Sequence, residues 1–203
     1  RVDPVKLTAD LVQCQTVTPA EGGALQLLDR LLSAYGFECH RVDRKGIPNL
    51  VAIWGDGRNG QTFGYSGHTD VVPIGDRDDW SCDPFGAEIR DGMLYGRGAT
   101  DMKSSVAAFC GAAIEFVANT PPDGRLILAI TGAEETGSPD GTRAIVDWME
   151  ARGLQADHFL VGEPTSVKTI GDAIKIGRRG AVTVYLTVTG VQGHTGYPEK
   201  AVN

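Results

Sequence analysis

No stretch of the 203-residue chain approaches the roughly 18 consecutive apolar residues of a membrane span. The N-terminus also lacks the basic-then-apolar pattern of a secretory signal, although a leader removed before Arg1 stays an open alternative. Basic residues are in the minority. Nineteen Lys and Arg stand against 26 Asp and Glu, for a formal charge of −7, which argues against a nucleic-acid partner, since that class usually presents a basic face. The four cysteines, Cys14, Cys39, Cys82 and Cys110, lie at least 25 residues apart. That spacing fits neither a zinc knuckle nor a dense disulfide framework. Cys14 and Cys110 fall in helical, partly apolar stretches and read as core thiols, so the cytoplasm is the expected compartment. Several catalytic devices are missing too. Gly64-Tyr65-Ser66-Gly67 is not a Gly-x-Ser-x-Gly elbow, and there is neither a phosphate-binding Gly-x-x-x-x-Gly-Lys-Ser/Thr loop nor a His-Glu-x-x-His helix.

What remains is an ordinary globular composition, 41% apolar and 22% charged. Asp3-Pro4 reads as an N-cap with proline at the first helical position. A second helix is expected over 24–35, with Leu25, Leu28, Leu31 and Leu32 on one face and Gly36 as its stop. Strands are expected over 37–42, 50–54 and 61–66. Residues 71–100 read as a long loop with a hairpin, of the kind that is usually functional. A small-residue helix over 102–118, a nearly continuous apolar strand over 125–131, a helix over 142–152 and a short strand over 158–161 follow. Alternating strands and helices predict an α/β fold, a doubly wound, mostly parallel sheet with helices on both faces.

After Gly180 the pattern changes. Residues 181–189 alternate Val182, Val184, Leu186 and Val188 with Thr183, Tyr185, Thr187 and Thr189, the signature of a half-buried strand in a different, antiparallel sheet. This predicts a catalytic domain over 1–178 and the start of a second, α+β domain over 179–203. One strand and a loop cannot bury a core of their own. The second domain is therefore expected to be truncated or completed from outside this sequence.

Polar loops follow the apolar strands. They read Ser-Gly-His-Thr-Asp (66–70), Gly-Arg-Gly-Ala-Thr-Asp-Met-Lys (96–103), Thr-Gly-Ala-Glu-Glu (131–135) and Val-Gly-Glu-Pro (161–164). In open α/β sheets ligands bind outside the carboxyl ends of the strands. His68, Asp70, Asp101, Glu134, Glu135 and Glu163 would therefore share one rim and suit a divalent cation. Each alone has an ordinary reading: a surface loop for His68 and Asp70, a helix N-cap for Asp101, a solvated turn for Glu134 and Glu135, a turn before proline for Glu163. Adjacent glutamates after a buried strand repel each other unless a cation offsets them. One of the pair can then ligate while the other acts as a base on water.

Taken together, these four segments resemble the co-catalytic zinc aminoacylase, deacetylase and carboxypeptidase family, and the resemblance runs over essentially the whole chain. It implies two Zn²⁺ ions, with Co or Mn as alternatives. It also implies that His68 and Glu163 hold one ion, Asp101 bridges, Glu135 holds the second, Asp70 orients His68 and Glu134 is the general acid/base. Within the family, Lys175-Ile176-Gly177-Arg178-Arg179-Gly180 and Gly190-Val191-Gln192-Gly193-His194 look most like the desuccinylases of N-succinyl-diaminopimelate. Acetylornithine deacetylases are the same-class alternative. Arg178 or Arg179 would pair with a substrate carboxylate, solvent exposure being the plainer reading, and His194 resembles a histidine that reaches the partner subunit's site. The expected assembly is a cytoplasmic homodimer acting on a small N-acylated amino acid, with no nucleic-acid or membrane partner. Two departures stand out. Ala133 occupies a position where the desuccinylases commonly have aspartate. The family's second ion also takes a histidine from far towards the C-terminus, beyond Asn203, so a silent metal-binding or dimer-forming fragment is the alternative of another class.

Overall fold

Asp3 caps the first helix, its carboxylate accepting from the N–H groups of Val5 and Lys6 at 2.9 and 3.3 Å, with Pro4 in the first turn as expected. In this computed structural model all residues are described except Asn59, Arg178, Arg179, Ala181 and Asn203. Helix α1 spans Pro4–Gln13 and α2 spans Ala24–Ala34. Leu25, Leu28 and Leu32 of α2 are fully buried, and Leu31 packs partly buried beside them. Gly36 takes the left-handed conformation (φ +85°) that ends the helix, a conformation a side chain would resist.

The strands are β1 (Glu38–Arg41), β2 (Asn49–Trp54), β3 (Thr62–His68), β4 (Glu88–Arg90), β5 (Met93–Tyr95), β6 (Arg125–Thr131) and β7 (His158–Val161). Helices α3 (Ser104–Asn119) and α4 (Thr142–Glu150) connect them. The β4–β5 hairpin inside the long loop turns on Asp91-Gly92, both with positive φ, the signature of a tight primed turn.

The main sheet runs β1-β2-β6-β3-β7. Its three site-bearing strands, β6, β3 and β7, are parallel, while β2 is antiparallel to β6 and β1 to β2. The α/β class and the helices on both faces are as expected, and the sheet is mixed. Residues 37–54 form an antiparallel pair joined by a short connection, which needs no crossover helix.

Alternation along β2 and β6 separates two cores. Leu50, Ala52, Leu126, Leu128 and Ile130 face α1, α2 and α3. Val51, Ile127 and Ala129 face Ile145 and Met149 of α4. The chain leaves β3 through α3 to reach β6 on one side, then returns through α4 to β7 on the other. That reversal makes the end of β3 a topological switch point, where ligands bind in such sheets. In register, His68 lies opposite Thr131 and Ser66 opposite Val161, so the loops after β3, β6 and β7 emerge at one rim.

The chain divides into two units, residues 1–164 and 165–203. In the second, the Asp172 carboxylate accepts from the N–H groups of Val167, Lys168 and Thr169, and Val191 bridges to Val202. The strand expected over 181–189 does not form over its described residues 182–189. Val182, Val184, Leu186 and Val188 remain exposed there. The alternating pattern supplies a face, but a strand also needs a neighbour to complete its ladder, and no described residue pairs with this segment. The assignment of 1–178 and 179–203 to two domains rests on the sequence pattern.

Candidate metal centre

His68 ends β3 completely enclosed, with 1% of its side chain exposed. Its Nδ1 lies 2.9 Å from the carbonyl oxygen of Asp70. A carbonyl can only accept, so Nδ1 carries a proton, and once the ring is neutral its Nε2 lone pair is the one left to ligate. Nε2 lies 3.0 Å from Asp101 Oδ1 and 3.6 Å from Glu163 Oε1. The peptide N–H of His68 donates to Met102 Sδ at 3.3 Å, which ties the end of β3 to the segment carrying Asp101.

Asp70 is fully buried, and its carboxylate is 3.5 Å from His68 Nδ1. Both its oxygens also accept from the neighbouring loop: Oδ1 from the N–H of Glu134 at 3.0 Å and Oδ2 from the N–H of Glu135 at 3.1 Å. Asp70 therefore joins two loops, a task the His-x-Asp spacing did not disclose. Asparagine at this position would have to turn N–H bonds towards one of those N–H donors. Asp70→Asn is therefore expected to weaken zinc binding roughly 10- to 100-fold and to destabilise the metal-free fold by about 1–3 kcal/mol. Competition titration and urea unfolding read the two effects. Wild-type values in both would show that Asp70 holds neither loop.

The electrostatics follow from burial and crowding. Burial disfavours a charged His68, but the hydrogen bond and charge of Asp70, then the charge of Glu163, outweigh it and raise the imidazolium to about 9. Burial likewise opposes ionisation of Asp70, yet His68 and the two backbone N–H groups hold its carboxyl below the usual range. Glu135 is raised by burial and then by Asp101, Glu134 and Asp70, against the pull of His68. Glu163 is raised by burial and by Asp101 and Glu134, again against His68.

Among the described residues, two sets bring their ligand-type atoms within 4.8 Å of one another: His68, Asp101 and Glu135, and His68, Glu134 and Glu163. Crowded carboxylates that resist ionisation around a pre-oriented imidazole fit a divalent cation, whose charge relieves their repulsion. The set is rich in oxygen with one imidazole, which suits Zn, Co or Mn.

Ala133 is buried, and its loop is held by Ala133 N–H to Thr131 Oγ1 at 3.2 Å and by Asp70. A cavity of about 240 Å³ adjoins the cluster, lined by Val71, Val72, Arg97, Thr100, Asp101 and Glu135 among others. Of the residues expected to touch substrate, Arg178 and Arg179 lie outside the described residues. His194 belongs to the second unit, where its Nδ1 accepts from the Gly196 N–H at 3.0 Å.

Three neighbours escaped the sequence reading. Arg97 stacks over Trp80 at 5.1 Å, and Met102 contacts His68. Lys103 is a fully buried ammonium pushed down to about 8 by burial. Each stands within the Gly-Arg-Gly-Ala-Thr-Asp-Met-Lys segment, whose signal pointed to Asp101 alone.

Residues 64–200 match the profile of peptidase family M20/M25/M40. All of this chain aligns, 78% identical over 202 residues, with 51% of succinyl-diaminopimelate desuccinylase 2 of Ruegeria sp. (strain TM1040). It is 59% identical over 202 residues to succinyl-diaminopimelate desuccinylase of Cereibacter sphaeroides, covering 53% of that protein. The chain thus spans about half the length of the curated relatives it matches. Among solved structures, an M20 family metallo-carboxypeptidase from Sulfolobus solfataricus superposes with a TM-score of 0.70 at 22% identity, over 81% of this chain and 38% of that one. That likeness speaks for the fold. The chain belongs to peptidase family M20/M25/M40.

Proposed function

We propose that the complete protein is a metal-dependent amide hydrolase, a desuccinylase that releases succinate and LL-2,6-diaminopimelate from the N-succinyl compound. The observation that carries the hydrolase reading is the convergence on His68 Nε2 of Asp101 and Glu163, with Glu134 and Glu135 beside them. The choice of acyl group leans on the named relatives at 78% and 59% identity.

In this reading His68 and Glu163 would hold one zinc ion, Glu135 would hold a second, and Asp101 would be shared between them. The bound ions would supply Lewis acidity for the amide carbonyl and offset the charge developing on its oxygen. Asp70 holds the neutral His68 ring by its Nδ1 side and sets the backbone of Glu134 and Glu135. Glu134 takes the proton from the attacking water and delivers it to the leaving amine. Arg178 or Arg179 would pair with the succinyl carboxylate, a group an acetyl substrate lacks. His194 would reach the site of a second subunit in a homodimer.

The test is a comparison of substrates on the complete protein. Succinyl-diaminopimelate is expected to exceed acetylornithine in kcat/KM by at least about 100-fold, the scale of one charge-assisted bidentate pair. Equal values, or a preference for the acetylated substrate, would move the assignment to the deacetylases. Hydrolysis of neither, by a zinc-loaded protein, would favour a silent metal-binding protein.

A further inference from the structure

Lys103 stands at the junction of the Asp101 turn and α3, and its side chain is completely enclosed, with 0% of the residue exposed. A buried ammonium is costly unless something compensates it. No carboxylate among the described residues pairs with it. Its one hydrogen bond runs from Nζ to the carbonyl of Cys14, at 3.0 Å. Cys14 is the C-cap of α1, and its extended backbone (ψ 112°) turns this carbonyl off the helix axis. The buried charge is therefore met by that one carbonyl, with the charge of Asp70 also favouring it.

The segment that begins at Cys14 also braces the other ligand loop. Thr16 Oγ1 donates to the Thr69 carbonyl at 2.6 Å, Val71 N–H donates to the Thr16 carbonyl at 2.9 Å, and Thr18 N–H donates to the Val71 carbonyl at 3.1 Å. Residues 14–18 thus run alongside 69–71, directly after His68. Lys103 fastens the same segment to the Asp101 turn, which is also closed by its own N–H donating to the Gly98 carbonyl at 2.9 Å. Gly98 is itself hemmed in: a Cβ there would clash with Val71 Cγ1 and lie 3.3 Å from Lys103 Cδ.

We infer that Lys103 is a positioning residue that sets Asp101 against His68, by fastening the Asp101 turn to the strap formed by residues 14–18. This rests on the reading of His68 and Asp101 as metal ligands. Two other roles predict different outcomes. A cation beside the site repels a bound cation, so if Lys103 acted only through its charge, its neutral replacement would tighten metal binding. If it were only a packing element, replacement would lower stability and leave affinity unchanged.

The experiment titrates the chain with Zn²⁺ alone, well below its unfolding temperature, and records the visible absorption of the Co²⁺-loaded form. Lys103→Met keeps the length and loses both donor and charge. Lys103→Gln loses the charge and keeps a donor. The expected result is a roughly tenfold weaker Zn²⁺ affinity in Lys103→Met, a smaller loss in Lys103→Gln, and an altered Co²⁺ spectrum. Tighter or unchanged affinity in Lys103→Met overturns the inference while leaving the metal site standing. Should Lys103→Met fail to fold, the sign of the change in Lys103→Gln decides: weaker binding supports positioning, and tighter or equal binding overturns it. Failure of the unaltered chain to bind Zn²⁺ removes the metal reading and this inference with it.

Discussion

Glu134→Gln is expected to lower kcat of the complete protein by about 10²–10⁴-fold, the range a positioned general base contributes, while zinc affinity stays within a few-fold of the unaltered protein. The amide preserves size and the N–H donated to Asp70 at 3.0 Å, so the loop keeps its place. It cannot accept a proton from water. The geometry makes this a sharp test, because the ligand-type atoms of Glu134 group with those of His68 and Glu163. If Glu134 were a ligand, the substitution would cost metal affinity together with rate. Loss of both would exchange the roles of the two adjacent glutamates.

His68→Ala carries the second large effect. It removes the only imidazole in either ligand set, and tight zinc binding is expected to weaken by at least about 100-fold. The pH dependence follows from the same ring. Asp70 and Glu163 hold His68 protonated up to about 9 in the metal-free protein. A metal requires the neutral ring, so zinc uptake near pH 7 releases a proton, and apparent affinity falls by up to about tenfold per unit as pH drops below 9. Stability of the metal-free chain has the opposite sign. The raised pKa contributes fully below the unfolded value near 6.5 and is lost as pH rises through about 9. Calorimetry in buffers of different ionisation enthalpy counts the proton. Uptake without proton release, or affinity independent of pH between 6 and 9, would show that His68 is not displaced from its proton by the metal.

Much of the site was legible because its residues follow buried strands. Residues 125–131 and 158–161 are the strands β6 and β7, and the Asp3-Pro4 cap is formed as read. Placing β3, β6 and β7 side by side then brings His68, Glu134, Glu135 and Glu163 to one rim whatever the details of the loops. Less legible was anything decided across the fold. A strand's direction depends on its connection, so the antiparallel β2 was hidden inside an otherwise alternating pattern. The Asp70 carboxylate finds its partners in backbone N–H groups 64 and 65 residues away, which leave no mark on side-chain identity. Lys103 reads as a surface charge until α1 ends against it. Residues 182–189 have a strand's alternation, but pattern alone cannot provide the neighbouring strand.

The structure also shows what supports Glu134, the proposed base, beside Ala133. The backbone of Glu134 is held by Asp70 and its loop turns back through Gly137 N–H to the Glu134 carbonyl at 2.8 Å. Farther out, Arg44 donates to Asp140 at 2.9 Å and to Asp147 at 2.6 Å, and buried Asn49 donates to the Asp140 carbonyl at 2.9 Å. The loop is thus fixed at one end by Asp70 and at the other by Arg44 and Asn49.

The most direct test of a metal centre built on His68 is calorimetric titration of the metal-free chain with Zn²⁺, counting sites. One tight site is expected, through His68, Asp101 and Glu163, with a second and weaker one that draws on Glu135 and the shared Asp101, because no second imidazole joins either ligand set among the described residues. Absence of any tight site, or a tight site that survives in His68→Ala, would contradict the assignment.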